Sequence, residues 1–218
     1  MNHHVTRITL AALLAAVSLT TVAADNGFYT YGSVGVTDSK RKSETDTAIT
    51  NAGVTAFTSS AKERDTGYKL QGGYRFNKFV AVEGGYANLG KFTYDAVATV
   101  PVSTRHGDLK ADGWNVSVVG SAPVSNTFAF IGRLGVLVSQ AKYHCDGTGI
   151  ACVDPDRSKR DTALNYGVGA DWNFTGSWFA RAEYEVFRDV GSRFNATGTT
   201  GTTQADIKMG SIGLGYRF

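Results

Sequence analysis

Three features of the sequence predict an all-β fold, an eight-stranded antiparallel up-and-down barrel that crosses a membrane on its strands. Apolar and polar residues alternate with period two over eight segments. The connections alternate between short and long, and aromatic residues gather on one parity beside the short ones. A strand points successive side chains to opposite faces, so a period of two marks a wall with two unlike sides. The 218 residues, 42% hydrophobic with 26 Gly and only 3 Pro, suffice for one substantial domain.

The first 24 residues stand apart from that pattern. Arg7 precedes an apolar run from Ile8 to Leu19, and Val22-Ala23-Ala24 offers small residues for cleavage. This is the pattern of a secretory leader over residues 1–24, with a barrel domain over 25–218. No later stretch approaches the roughly 20 apolar residues of a spanning helix, so any passage through a membrane is made by strands.

The strands follow in order. The first is GFYTYGSVGV. In TGYKLQGGYRF, Tyr68, Leu70, Gly72, Tyr74 and Phe76 share one parity, and Lys69, Gln71, Gly73 and Arg75 the other. FVAVEGGYANLG sets Val80, Val82 and Tyr86 against Ala81, Glu83 and Gly85. GWNVSVVGSAPV sets Trp114, Val116 and Val118 against Asn115 and Ser117, and FAFIGRLGVLV sets Phe128, Phe130, Leu134 and Val136 against Arg133. LNYGVGADWNF opposes Tyr166, Val168, Trp172 and Phe174 to Asn165 and Asp171. WFARAEYEVF opposes Ala180, Ala182, Tyr184 and Val186 to Arg181, Glu183 and Glu185. SIGLGYRF closes with Ile212, Leu214, Tyr216 and Phe218 against Arg217, and it is expected to pair with the first strand. Short turns fall at 77–78, 123–127 and 175–177. Long polar loops are expected over about 37–65, 90–112, 140–161 and 191–205. Short turns on one side and long loops on the other are the habit of outer-membrane barrels.

Alternation alone leaves open which face is wet, since a secreted lipocalin-like barrel also alternates. The aromatics decide it. Tyr74, Phe76, Phe128, Trp172, Phe174, Tyr216 and Phe218 sit beside the short turns on the apolar parity, where a bilayer interface wants a girdle. The polar parity carries Lys69, Arg75, Arg133, Arg181 and Arg217 against Glu83, Asp171, Glu183 and Glu185, a near balance suited to an enclosed network.

YKLQGGYRFNKFVAVEGGYANLG, GWNVSVVGSAPVSNTFAFIGRLGV, RAEYEVFRDVG and the ending GLGYRF together resemble the transmembrane domain of outer-membrane protein A, the OmpA-like barrels. The resemblance implies a Gram-negative-type outer membrane and a salt-bridge gate in the interior. Glu83 matches the gate glutamate, Arg181 its arginine partner, and Asp171 a second carboxylate. The family pattern has a lysine where this chain has Val119, so Asp171 needs another cation, for which Arg133 is the candidate; Glu183 shares their parity. Many relatives carry a peptidoglycan-binding domain after the barrel, and none is expected here.

Little else points to chemistry. Lys and Arg are scattered at a net charge of +3, which gives nucleic acid no basic stripe. His106 and His144 lie in expected loops without a nucleophile in pattern, so no enzyme and no cofactor are expected. Cys145 and Cys152 are expected to close a small loop as a disulfide. Free thiols or a metal site with His144 are the alternatives, although one His and two Cys lack a fourth zinc ligand. Asp154 and Asp156 with Asp146 read as a solvated acidic loop before a calcium site. SKRKSE (39–44) is a candidate contact for lipopolysaccharide phosphates, set in a loop with as many anions as cations. The expected role is structural and surface-displaying, with external loops available to host or surface ligands. A narrow gated diffusion channel is the alternative, and a lipid-modifying enzyme the least favoured. A closed barrel needs no partner subunit, so a monomer is expected.

Overall fold

The computed structural model describes residues 26–39, 46, 50, 56–100, 102–148, 156–190, 193–196, 199–202 and 205–218. Their strands are β1 (Gly27–Ser39), β2 (Ala56–Lys62), β3 (Arg64–Arg75), β4 (Val80–Val100), β5 (Val102–Pro123) and β6 (Phe128–Thr148). Then come β7 (Asp156–Asn173), β8 (Trp178–Val190), β9 (Arg193–Ala196), β10 (Thr199–Thr202) and β11 (Ala205–Arg217). Eight of them, β1, β3 to β8 and β11, pair antiparallel with their neighbours in chain order, and β11 pairs back onto β1. That cycle of pairings is the up-and-down barrel the periodicity predicts. β2 extends the ladder beside β4, and β9 and β10 form a separate hairpin.

Each short turn is closed by a side-chain oxygen. Asn77 Oδ1 accepts the amides of Phe79 and Val80 at 2.8 and 2.9 Å. Ser125 Oγ accepts that of Phe128 at 3.0 Å, and Thr175 Oγ1 that of Trp178 at 2.9 Å. Short polar side chains that bond the backbone two or three residues on make tight reversals, which is why Asn, Ser and Thr stand there.

The two parities separate as expected. Leu70, Trp114, Val168 and Ile212 are 64–69% exposed on the outer wall, whereas Glu83, Arg133, Asp171 and Arg181 are 5% exposed or less. The aromatic girdle is continuous in places: Phe28, Tyr74 and Phe76 stack edge-on, as do Trp178, Tyr216 and Phe218. Phe28 and Trp178 belong to the girdle in addition to the rings expected from periodicity. A second belt of Tyr68, Tyr86 and Trp114 lies toward the long connections.

The long connections are a correction. They contain strand: β4 runs on to Val100 and β5 starts at Val102, β6 reaches Thr148, and β2 and the β9–β10 hairpin fill parts of two others. In β4 a bulge falls between Asn88 and Lys91, where the register against β5 slips by one residue. It moves the inward parity of β4 from Ala87 and Leu89 to Phe92, Tyr94, Ala96 and Ala98, all buried. A reading at one fixed parity therefore loses the strand at Gly90.

Gly90 makes the bulge possible. Its φ is +89°, and a Cβ there would meet the Asp65 carboxylate at 2.8 Å, which accepts the Lys91 amide at 2.7 Å. Gly90→Ala is expected to cost about 1–3 kcal/mol, read as a lowered denaturant midpoint of the refolded barrel.

The interior is filled at three levels. Tyr29, Tyr31, Ala81, Val119, Ile131 and Phe179 pack near the short turns. Leu89, Phe92, Leu109, Leu137, Phe187, Ile207 and Met209 pack toward the long connections, with four alanines and Val190. Between them lie the buried charges.

Candidate functional site

The inward parity of seven strands brings the middle level together. Asp171 and Arg181 face each other directly across β7 and β8, and Arg181 grips that carboxylate with Nε at 2.7 Å and Nη2 at 3.0 Å. Its Nη1 donates to Glu83 Oε1 at 2.6 Å. Arg133 takes the other oxygen of Glu83 through Nη2 at 2.5 Å and reaches Glu183 Oε1 at 2.8 Å and Glu185 Oε1 at 3.3 Å. Lys69 Nζ donates to Glu183 Oε2 at 2.8 Å and also to Glu185. Glu83 thus sits between two arginines. A planar guanidinium with several fixed donors can satisfy more than one carboxylate at once.

Neutral groups complete the layer. Tyr29 donates its hydroxyl to Glu83 Oε1 at 2.5 Å. Arg133 Nη2 donates to the Tyr31 oxygen at 2.6 Å, and Arg181 stacks over the Tyr31 ring at 4.6 Å. Gln71, Asn115 and Asn165 form a chain of amide bonds, the last donating to Glu185. Glycines opposite the carboxylates leave the room. Gly169 faces Glu183 and Gly167 faces Glu185, and a Cβ on either would lie 2.4–2.6 Å from a backbone oxygen of β8.

All five residues expected in the network, Glu83, Asp171, Arg181, Arg133 and Glu183, lie in it. One expected pairing does not. Arg133 bonds Glu83, Glu183 and Glu185, and the cation of Asp171 is Arg181, with Arg75 at 3.9 Å behind it. The correction is one of register, because facing residues across a strand pair meet first. Val119, at the position of the family's lysine, is buried among Tyr29, Tyr31 and Phe179. With Arg75 counted, four cations meet four carboxylates. Lys69 and Glu185, placed on the polar parity but not in the gate that the resemblance implies, belong to the network as well, and Gln71, Tyr29 and Tyr31 join it without having been expected there. Their signal was the shared inward parity.

Outside the membrane band, His106 and His144 stand on the outer faces of the β5 and β6 extensions. His106 Nδ1 lies 2.5 Å from Asp95 and His144 Nε2 2.8 Å from Asp146. The bond to Asp95 raises the His106 pKa above 6.5, joined by the charges of Asp95 and Asp108 and opposed by desolvation and Lys91. The ion pair therefore stabilises the extension fully below the ordinary imidazole value and is lost as pH rises through the raised one. An NMR titration is expected to place His106 above 6.5, and Asp95→Asn to bring it down.

Among the described residues no three His, Cys, Asp or Glu are grouped to hold a metal ion. The leader (1–24), the partner cysteine Cys152 of the expected Cys145–Cys152 bridge, Asp154, and Lys40, Arg41 and Lys42 of SKRKSE lie outside the described residues.

A closed antiparallel wall, apolar and aromatic outside and charge-filled inside, defines an integral β-barrel of the bacterial outer membrane. The family model for the outer membrane protein beta-barrel domain matches residues 9–218, and the chain belongs to that family. Outer membrane protein A of Klebsiella pneumoniae is 30% identical over 151 residues, 67% of this chain and 39% of that protein. Outer membrane protein A of Yersinia pseudotuberculosis is 29% identical over 218 residues, 98% of this chain and 55% of that protein. The chain thus spans about half the length, or less, of these relatives. Among solved structures, OprG from Pseudomonas aeruginosa aligns with a TM-score of 0.54 at 15% identity, covering 91% of this chain and 99% of that one. Neisserial surface protein A aligns at 0.53 and 13% identity, covering 88% and 97%. Both likenesses concern the fold. The protein is an outer-membrane barrel of the OmpA-like kind.

Proposed function

We propose that this barrel is a closed anchor that carries a stiff β extension outside the outer membrane, and that surface contacts are made there. The observation that carries the reading is the filled interior. The mutually paired charges of Glu83, Asp171, Glu183, Glu185, Lys69, Arg133 and Arg181 lie beneath an apolar layer that includes Leu89, Leu109, Leu137, Phe187, Ile207 and Met209. An eight-stranded barrel is only wide enough for its side chains to fill, and a hydrated path would have to break both levels. The extension has its own apolar contacts, Tyr94, Ala96 and Ala98 against Phe57 and Ala61, which suit a rigid display surface.

The gated channel keeps one observation in its favour: Glu83 contacts Arg181 and Arg133 together, so it could exchange partners. Such an exchange leaves the apolar layer above it closed. Single-channel recording separates the two readings, since a closed anchor passes no steady current. The proposal assigns no catalysis to His106 or His144, takes the barrel as a monomer, and leaves host or surface ligands to the extension.

A further inference from the structure

Arg217 is the inward cation that the charge layer leaves over. It stands on β11 beside the short turns, on the parity of Gly215 and Ser211, and faces Tyr29 of β1. Glu83, Asp171, Glu183 and Glu185 are held by Lys69, Arg133 and Arg181, with Arg75 behind Asp171. Arg217 forms no ion pair with another described residue, and its Nε and Nη2 are buried without a hydrogen-bond partner among them. A buried donor without an acceptor carries its full desolvation cost, and on a guanidinium that cost falls on a charge.

The group is held in place all the same. Arg217 Cζ lies 4.7 Å from the centre of the Phe179 ring, and Arg181 Cζ lies 5.4 Å from that ring. Gly215 gives the ring its seat, because a Cβ there would collide with it. The arrangement repeats on β3, where Arg75 Cζ lies 5.9 Å from the Tyr29 ring and a Cβ on Gly73 would meet that ring at 2.5 Å. In each case a glycine two residues before the arginine seats the aromatic that its guanidinium covers. β3 and β11 flank β1, so Arg75 faces Gly27 and Arg217 faces Tyr29 at successive inward positions. Gly27 has no side chain to stand between the two guanidiniums. The Arg75 side chain is 19% exposed and Arg217 is half-buried, so both are reached from the short-turn side. The free edge of Arg217 has a counterpart in the same barrel. Arg181 grips Asp171 through Nε and Nη2 at 2.7 and 3.0 Å, and Arg217 offers the same two nitrogens with no carboxylate of the described residues opposite. Such an edge fits two oxygens of one carboxylate or phosphate.

We propose that Arg217, with Arg75 beside it, receives a small oxyanion, a carboxylate or a phosphate, that enters the barrel mouth from the short-turn side. In outer-membrane barrels that side faces the periplasm. Arg217 binds two oxygens of the anion through Nε and Nη2, and Arg75 adds a second positive charge. Both arginines lie on the inward parity, so the occupant is a free anion in the aqueous mouth and not the headgroup of a lipid against the outer wall. The inference does not depend on whether the interior conducts, because the site lies on the short-turn side of the charge layer.

The test titrates inorganic phosphate, and separately acetate, into the refolded full chain in a non-ionic detergent, with chloride keeping the ionic strength constant. It follows the Arg217 Nε–H resonance by NMR together with the thermal midpoint. Phosphate is expected to move that resonance saturably and to raise the midpoint, and chloride to do neither. The tighter of the two probes names the ligand class. Arg217→Lys keeps the charge but loses the two-nitrogen edge, so it is expected to bind phosphate about tenfold more weakly or worse. Arg75→Gln leaves the Arg181–Asp171 pair in place and is expected to weaken binding by a smaller factor. The titration of the parent protein decides the case where a variant fails to refold. The proposal is overturned if neither probe moves the Arg217 resonance saturably, or if Arg217→Lys binds phosphate as tightly as the parent. It is also overturned if phosphatidylglycerol in the micelle gives the same saturating shift as free phosphate, which would assign the site to a lipid headgroup.

Discussion

Arg181→Ala is expected to destabilise the refolded barrel by about 3–5 kcal/mol, the cost of leaving buried carboxylates without their cation. Arg181 makes three short bonds, two to Asp171 and one to Glu83. Without it, Glu83 retains Arg133, and Asp171 is left with Arg75 at 3.9 Å. Burying a charge is tolerable only when the partner's attraction offsets desolvation, so the two carboxylates should fare differently. Adding Asp171→Asn to Arg181→Ala is expected to recover more stability than adding Glu83→Gln. Equilibrium unfolding of the two double variants beside their parents reads this directly. A loss below about 1 kcal/mol for Arg181→Ala would mean a solvated pair, as at protein surfaces.

Phe187→Ala is expected to cost as much, about 3–5 kcal/mol, by a different route. Phe187 is fully buried in the apolar layer and faces Ile207 across β8 and β11. Strands locked by a closed ladder cannot collapse into the space the ring leaves, so the cavity remains and its lining loses contacts. Val102→Ala, 84% exposed at the tip of the β4–β5 extension, is expected to stay within about 0.5 kcal/mol. Similar losses from both variants in denaturant titrations would mean that the upper layer is open to water.

Much of this molecule is legible in its sequence because a β wall writes both its faces into one period. Residues such as Lys69, Glu83 and Arg181 disclose their inward position by parity alone, and Leu70 or Trp114 their outward one. The girdle follows from the same pattern, since Tyr74, Trp172 and Tyr216 stand next to turns that Asn77, Ser125 and Thr175 announce. Three things are not legible there. The extension of β4 past Gly90 keeps alternating, but on the opposite parity, and a bulge that depends on Asp65 from a different strand carries no local mark. The pairing of Asp171 needed the register between β7 and β8, which periodicity leaves undetermined by whole steps of two residues. The apolar upper layer was hidden for a related reason: Leu89, Leu137 and Met209 sit on a parity that lower down is polar, and only the assembled barrel shows that six strands make the change together.

The decisive measurement is single-channel recording of the refolded protein in a planar bilayer, beside Arg181→Ala. A barrel closed by paired charges under an apolar layer shows no steady openings, and the variant, whose apolar layer is intact, shows none either. Steady openings in the parent protein, changed in size or frequency by Arg181→Ala, would contradict the closed anchor and make Glu83 and Arg181 the gate of a narrow channel.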